Sequence, residues 1–159
     1  MLMRSRLFNK ESGLASVEMA FVTPVLLIFM LITAEFTRAF YEYNTLTKSV
    51  RDAARFLSLD ARQGSIFGLT AEDRATARNI ATYGNIAGTG EPLLKNLSTA
   101  DFDINEITSL GVDMEHIEVR STYTFQPLWG AIPAIGFFNS AVDISNITLS
   151  ASSTMRALQ

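Results

Sequence analysis

The chain of 159 residues contains no cysteine. Disulfide stapling, thiolate nucleophiles and cysteine-ligated metals are excluded by that absence, while the redox compartment stays open. Histidine is nearly absent as well: His116 stands alone, with no partner at metal-ligand spacing. A Ser-His-Asp hydrolase would have to use it, and no nucleophile-elbow motif accompanies it. Its place at the start of an expected strand makes it an ordinary edge or surface residue. Positive charge is also short, with 13 Lys and Arg against 16 Asp and Glu and a net charge of −3. No basic patch offsets that balance, so nucleic acid is not a partner. Repeats and low-complexity tracts are missing, and the length suits one folded domain plus one membrane helix.

The chain is nevertheless 48% hydrophobic, and the excess is concentrated in one stretch, GLASVEMAFVTPVLLIFMLITA, from Gly13 to Ala34. As a helix, Leu14–Ala34 would be about 31 Å long, close to the roughly 30 Å hydrocarbon core of a bilayer. A cleavable secretory signal has a shorter apolar region and a small-x-small site behind it. Here Ile32-Thr33-Ala34 is a poor version of that site. No second run of spanning length follows, so the chain is expected to cross a membrane once. Residues 1–13 form a polar leader with Arg4, Arg6 and Lys10 against Glu11, expected to lack regular structure. The positive-inside rule places that leader in the cytoplasm and residues 35–159 outside it.

Apolar residues continue at 36, 39, 40, 43, 46, 50, 53, 54 and 57, with Arg38, Glu42, Lys48, Arg51, Asp52 and Arg55 largely between them. This spacing predicts one long helix over about 14–60, half in lipid and half on a folded domain, closed by Gly64. Pro24 interrupts its hydrogen-bond ladder and predicts a kink or local loosening, with the Thr23 hydroxyl beside it.

Residues 65–69 read as a loop, and Thr70 as the N-cap of a second helix ending near Tyr83-Gly84, with Glu72 and Asp73 in its first turn. Gly84, Gly88, Gly90 and Pro92 mark a flexible connection. Leu93, Leu94, Leu97, Phe102, Ile104 and Ile107 then supply weak core contacts in a segment of no clear period. Residues 115–125 alternate as a strand, with Ile117, Val119, Ser121, Tyr123 and Phe125 on one face and Glu118, Arg120, Thr122 and Thr124 on the other. A second strand region covers 141–155, with a phase change at Ser145-Asn146 that predicts a bulge or break. The two are expected to pair antiparallel and pack on residues 36–58. The fold class is therefore α+β: a long membrane-spanning helix on a small antiparallel sheet. Between the strands, the apolar connection 127–138 carries Leu128, Trp129, Ile132, Phe137 and Phe138, and reads either as a lid on the core or as a partner-binding patch.

Glu18 is the one charge inside the apolar run, and a carboxylate there is costly. One reading puts it at the helix N-terminus, where dipole and interfacial water favour an anion. The other supposes a cut after Gly13. That cut frees the Leu14 α-amino group, a cation with a reference pKa of about 8. In a bundle of parallel, staggered helices the Glu18 of one subunit then neutralises the amine of the next. The run Asp101-x-Asp103-x-Asn105-Glu106 matches the start of a calcium loop but lacks its sixth-position glycine and has Val112 where the twelfth-position glutamate belongs. A solvated acidic turn is the competing reading. Asn96-Leu-Ser98 and Asn146-Ile-Thr148 match glycosylation acceptors, a common chance pattern.

Basic leader, Gly13, apolar helix and Glu18 at the fifth position after the glycine together resemble the class III signal of type IV pilins and pseudopilins. With Pro24, the form Gly13-Leu-Ala-Ser-Val-Glu18-Met-Ala-Phe-Val-Thr-Pro24 is most similar to the TadE family of tight-adherence (Flp pilus) pseudopilins. Val119-x-x-x-Tyr123-x-Phe125-x-Pro127 and Leu149-x-Ala151-x-Ser153-Thr154-Met155-Arg156 resemble that family's closing segment. The resemblance covers residues 11–60 and 117–156 and leaves the middle untouched. It implies a pilin-like fold, cleavage between Gly13 and Leu14 by a prepilin peptidase, and Glu18 as an assembly contact. The partners it implies are other pilins or pseudopilins and the pilus assembly platform, with no cofactor and no catalysis. Major Flp pilins are much shorter and have Tyr after the glutamate, where this chain has Met19. That departure points to a minor or assembly-promoting component. Two rivals stay open: an unprocessed single-span envelope scaffold, and a membrane-tethered binding module or hydrolase.

Overall fold

The computed structural model describes residues 10–60, 69–107, 116–128, 131–132, 142–143 and 147–157. Helix α1 runs from Lys10 to Asp60 and is followed by α2, Ala71–Tyr83. A 3-10 turn at Thr99–Asp101 leads into β1, Phe102–Ile107, and then come β2, His116–Thr124, and β5, Thr148–Arg156. Between β2 and β5 sits a separate two-stranded ladder, β3 (Ala131–Ile132) with β4 (Val142–Asp143). The architecture is α+β, with a long apolar helix packed on a small antiparallel sheet of order β1-β2-β5.

α1 is already helical at Lys10, the first described residue and ahead of the expected start at Leu14. Lys10, Glu11 and Ser12 contain no helix breaker, and Gly13 costs a helix interior only about 1 kcal/mol. The helix also continues through Pro24, where the Thr23 hydroxyl donates to the Met19 carbonyl at 2.7 Å. Gly64, assigned to close α1, lies outside the described residues, as do most of the loop 65–69, the phase change at Ser145-Asn146, and Trp129, Phe137 and Phe138.

The second half of α1 packs on the domain as its period predicts: Leu46, Val50, Ala53, Ala54 and Leu57 are fully buried. They share one core with Ala77 and Ala81 of α2, with Ile104 of β1, with Ile117 and Val119 of β2, and with Ala151 of β5. Each large aliphatic side chain in that group contributes on the order of 1.5–3 kcal/mol by leaving water. The four alanines let the two helices approach closely.

α2 is bounded as the sequence predicts. Thr70 and Asp73 form a capping box, the Asp73 amide donating to the Thr70 hydroxyl at 3.2 Å and the Thr70 amide to the Asp73 carboxylate at 2.8 Å. Gly84 ends the helix in the left-handed region at φ 73°, its N–H bonded to the Ile80 carbonyl at 2.9 Å.

In β2 the alternation holds throughout, with Ile117, Val119, Ser121 and Tyr123 buried and Phe125 buried just beyond the strand. β2 pairs antiparallel with β5, Val119 facing Ser153 and Tyr123 facing Leu149. The strand region over 141–155, expected to carry a bulge or break, is divided between β4 and β5. β1 is the one strand of the main sheet that sequence reasoning did not find. Asp103 and Asn105 are poor strand formers, and the pairing with β2, Ile104 opposite Val119, supplies what propensity lacks. The contacts expected to be weak there are strong at Leu94, Leu97, Phe102 and Ile104, which are buried, while Leu93 and Ile107 are exposed. On its other side β1 is closed by α2, since Arg74 Nη1 donates to the Ile104 carbonyl at 2.8 Å and Arg78 Nε to the Phe102 carbonyl at 3.3 Å. Occupied carbonyls of this kind protect an edge strand from pairing with another chain.

Candidate functional site

From Gly13 to Ala34 no residue of α1 is buried, and Leu14, Val17, Met19, Phe21, Leu26, Phe29 and Met30 are large exposed apolar side chains. The helix is long and apolar enough to cross a membrane once. A soluble helix with this surface would carry its apolar groups on one stripe against a core; here they surround the helix.

Gly13 and Leu14 lie within regular helix, both exposed. A Cβ built on Gly13 meets nothing within 4 Å, and its φ is not in the left-handed region. Packing and backbone geometry thus give no reason for glycine at this position, although it weakens the helix. Glu18 is exposed one turn further on, at the end of the apolar run opposite the folded domain. Pro24 is exposed near the middle of the run. Thr33 and Thr37 return their hydroxyls to the carbonyls of Phe29 and Thr33, so these polar groups are satisfied within the helix at 2.7 and 2.8 Å.

The junction between the apolar run and the domain departs from the amphipathic period. Phe36 and Phe40, counted with the apolar face, are 62% and 64% exposed, and Tyr43 is exposed with them. The face turned to the domain over these two turns is Glu35, Arg38 and Glu42. Arg38 Nε lies 3.4 Å from Glu42 Oε1, and Arg38 Nη2 lies 3.9 Å from Glu35 Oε2. The first contact has ion-pair range without hydrogen-bond geometry. The guanidinium also covers the Phe125 ring at 4.8 Å and donates to the Gln126 carbonyl. Glu35 Oε1 accepts the Leu128 amide at 2.9 Å. Residues 125–128 are in this way clasped to α1 immediately after its apolar run.

Tyr123 stands behind the clasp, buried, with its hydroxyl donating to the Lys95 carbonyl at 2.9 Å. Burial pushes its pKa up to about 12, and the nearby Glu42 carboxylate acts in the same direction. The sequence signal for the clasp is the spacing Glu35, Arg38, Glu42, which puts three charges on one helical stripe. The amphipathic period places Arg38 and Glu42 between apolar positions and does not single out Glu35.

The remaining sequence candidates do not gather. Asp101 belongs to the 3-10 turn, where its carboxylate accepts the Ser98 amide at 2.7 Å. Asp103 and Asn105 are exposed positions on β1 and not ligands arrayed in a loop. Among the described residues no three His, Cys, Asp or Glu side chains form a group able to hold a metal. His116 opens β2 opposite Ile107 and Arg156, half-buried.

Neither curated proteins nor solved structures provide a match to the chain. The C-terminal likeness noted for residues 117–156 therefore rests on its own residues. The apolar helix is different: residues 13–55, which take in Gly13, Glu18, Pro24 and the Glu35–Arg38–Glu42 stripe, match the model of the family described as TadE-like protein.

Proposed function

We propose that this protein is a minor pilin or pseudopilin of a tight-adherence (Flp) pilus assembly or secretion system. A prepilin peptidase cuts between Gly13 and Leu14 on the cytoplasmic side. Residues 14–34 then hold the subunit in the inner membrane with its domain in the periplasm, until other pilins and the assembly platform draw it out. In the assembly, apolar helix faces pack side by side, and Glu18 neutralises the Leu14 amine of a neighbour. The protein serves pilus biogenesis and surface adherence, without catalysis of its own.

The observation that carries this reading is the coincidence of the family match with a helix that buries no residue from Gly13 to Ala34. Two further features support it. A glycine that packing does not require occupies the cut position. Phe36, Phe40 and Tyr43 extend the uncovered apolar surface past the span, where a neighbouring helix can use it.

Mass spectrometry of the mature protein tests the first step. The expected chain begins at Leu14, and one that still begins at Met1 beside an active peptidase overturns the reading. Glu18→Ala should leave that cleavage intact and stop assembly; normal pili from the variant refute the charge pairing. One observation favours a second reading, an unprocessed single-span envelope scaffold. α1 passes through Gly13 unbroken, so the scissile bond is within a helix and must be unwound for a peptidase to reach it. The same N-terminal mass separates the two.

A further inference from the structure

The clasp fixes more than the helix. Glu35 directly follows Ala34, the last residue of the apolar run, and its carboxylate holds the Leu128 amide at 2.9 Å. Arg38, one turn on, holds the Gln126 carbonyl. Whatever level the end of the span occupies, residues 126–128 occupy it too. The Leu128 side chain is 77% exposed there, a large aliphatic group turned away from the domain.

We propose that Gln126–Leu128 rests in the lipid–water interface and forms a second membrane contact of this chain. The proposal rests on the reading of residues 14–34 as a membrane span. Its occupant is the lipid of the same bilayer, because the surface is continuous with the spanning helix and lies at the height where that helix leaves the hydrocarbon. Charge does not oppose it: from Gln126 to Val142 the sequence carries no Asp, Glu, Lys or Arg. The charged side chains that hold this segment, Glu35 and Arg38, are engaged with one another, and Arg38 with Glu42 as well. Composition agrees, since an aliphatic residue followed by Trp129 is what interfacial segments favour. A contact on each side of the junction would fix how the domain stands on the membrane, which a single helix leaves free to rotate.

Trp129 is the one tryptophan of the chain and follows Leu128 directly, so it reports on the contact without a label. The full chain is reconstituted in phosphatidylethanolamine–phosphatidylglycerol vesicles containing lipid brominated either near the headgroup or near the bilayer centre. Trp129 emission is expected to be quenched severalfold more by the shallow bromines than by the deep ones. In a Trp129→Phe background, Leu26→Trp reports on the span itself and is expected to respond to the deep bromines. Leu128→Asp, at an exposed side chain, should remove most of the Trp129 quenching and leave a companion Leu26→Trp signal unchanged.

Quenching at position 26 with none at Trp129 overturns the second contact and leaves the span intact. No quenching at either position overturns both. Trp129 shielded from aqueous iodide yet untouched by brominated lipid means that a second copy or the domain covers this surface, and also refutes the proposal. Undiminished quenching in Leu128→Asp refutes the role of Leu128.

Discussion

Arg38→Ala is the most informative single change in the folded part. The Glu35 and Glu42 side chains are only 10% and 15% exposed, and Arg38 is the cation between them at 28%. Removing one partner from a buried ion pair costs about 3–5 kcal/mol, chiefly because the charge left behind is desolvated and unpaired. Here two carboxylates are left, but the guanidinium side of the cluster is partly wet, which places the expected loss near the lower end, about 3 kcal/mol. The contact over Phe125 accounts for about 0.5–1 kcal/mol of that. The rest is electrostatic, and this makes the reasoning testable by rescue. Arg38→Met combined with Glu35→Gln and Glu42→Gln removes all three charges and should return stability to within about 1 kcal/mol of the parent, since neutral packing replaces buried ion clusters at little cost.

The assay is urea unfolding of the full chain in mild detergent, followed by near-ultraviolet circular dichroism so that the domain and not the apolar helix is observed. Hydrogen exchange at the Leu128 amide provides a local readout, because that N–H loses its fixed acceptor when Glu35 turns out to water. A loss below about 0.5 kcal/mol for Arg38→Ala, the level of an exposed ion pair, refutes the buried-cluster argument. So does a triple variant no more stable than Arg38→Ala.

Four further outcomes are expected. Asp60→Asn should stabilise the domain by roughly 0.5 kcal/mol at neutral pH, because it removes an acid from a helix C-terminus that has no basic residue in its last turn. The Asp60 pKa is raised, first by its hydrogen bond with Asp73 and then by burial and the Asp73 charge, so its ionised form opposes folding; the gain should fade on acidification as Asp60 becomes protonated, and a gain that grows instead refutes it. Tyr123, raised from 10.0 to about 12, contributes stability that is complete below pH 10 and lost as pH climbs through 12; Tyr123→Phe should flatten that alkaline loss in a series of unfolding midpoints. Thr82 is fully buried with a hydroxyl that finds no partner among the described residues, so Thr82→Val should raise stability by about 0.5–1 kcal/mol in the same urea titration, and a loss of that size refutes the argument. Phe40→Lys, at an exposed position, should change domain stability by less than about 0.5 kcal/mol and yet abolish cross-linking between copies in the membrane, whereas unchanged cross-linking removes this face from the assembly surface.

Much of the fold was legible because the residues concerned obey local rules. Thr70, Asp73 and Gly84 bound α2 by capping chemistry that a few consecutive residues determine. Ile117 to Phe125 alternate because one face of β2 meets the core. β1 was not legible, since its inward residues Phe102 and Ile104 are separated by Asp103 and Asn105 and the strand exists through its partners on either side. The apolar helix was plain from composition, and Gly13 and Glu18 from their spacing. The clasp was hidden because a helical period shows which residues share a face but not what that face meets. Phe36 and Glu35 are neighbours, about a quarter turn apart, and choosing which of them faces the domain requires knowing where residues 125–128 return.

That choice has a consequence for the helix as a surface. Between Glu18 and Lys48 every charged side chain, Glu35, Arg38 and Glu42, is turned toward the domain. The side of α1 facing away therefore runs from Met19 to Thr47 without a charge, about 43 Å at the helical rise per residue. With the span ending at Ala34, that charge-free face continues over residues 35–47, about 20 Å or three and a half turns, and carries Phe36, Phe40 and Tyr43 beyond the hydrocarbon core. For a protein held permanently in one membrane, those aromatics are a liability that one or two polar substitutions would remove. For helices that pack beside one another at staggered heights, they keep a neighbour's apolar surface matched over a displacement of up to about 20 Å, and no carboxylate or guanidinium intrudes. Turning three charges inward and holding them with residues 125–128 is how one helix can satisfy both its own domain and a neighbouring helix along the same two turns.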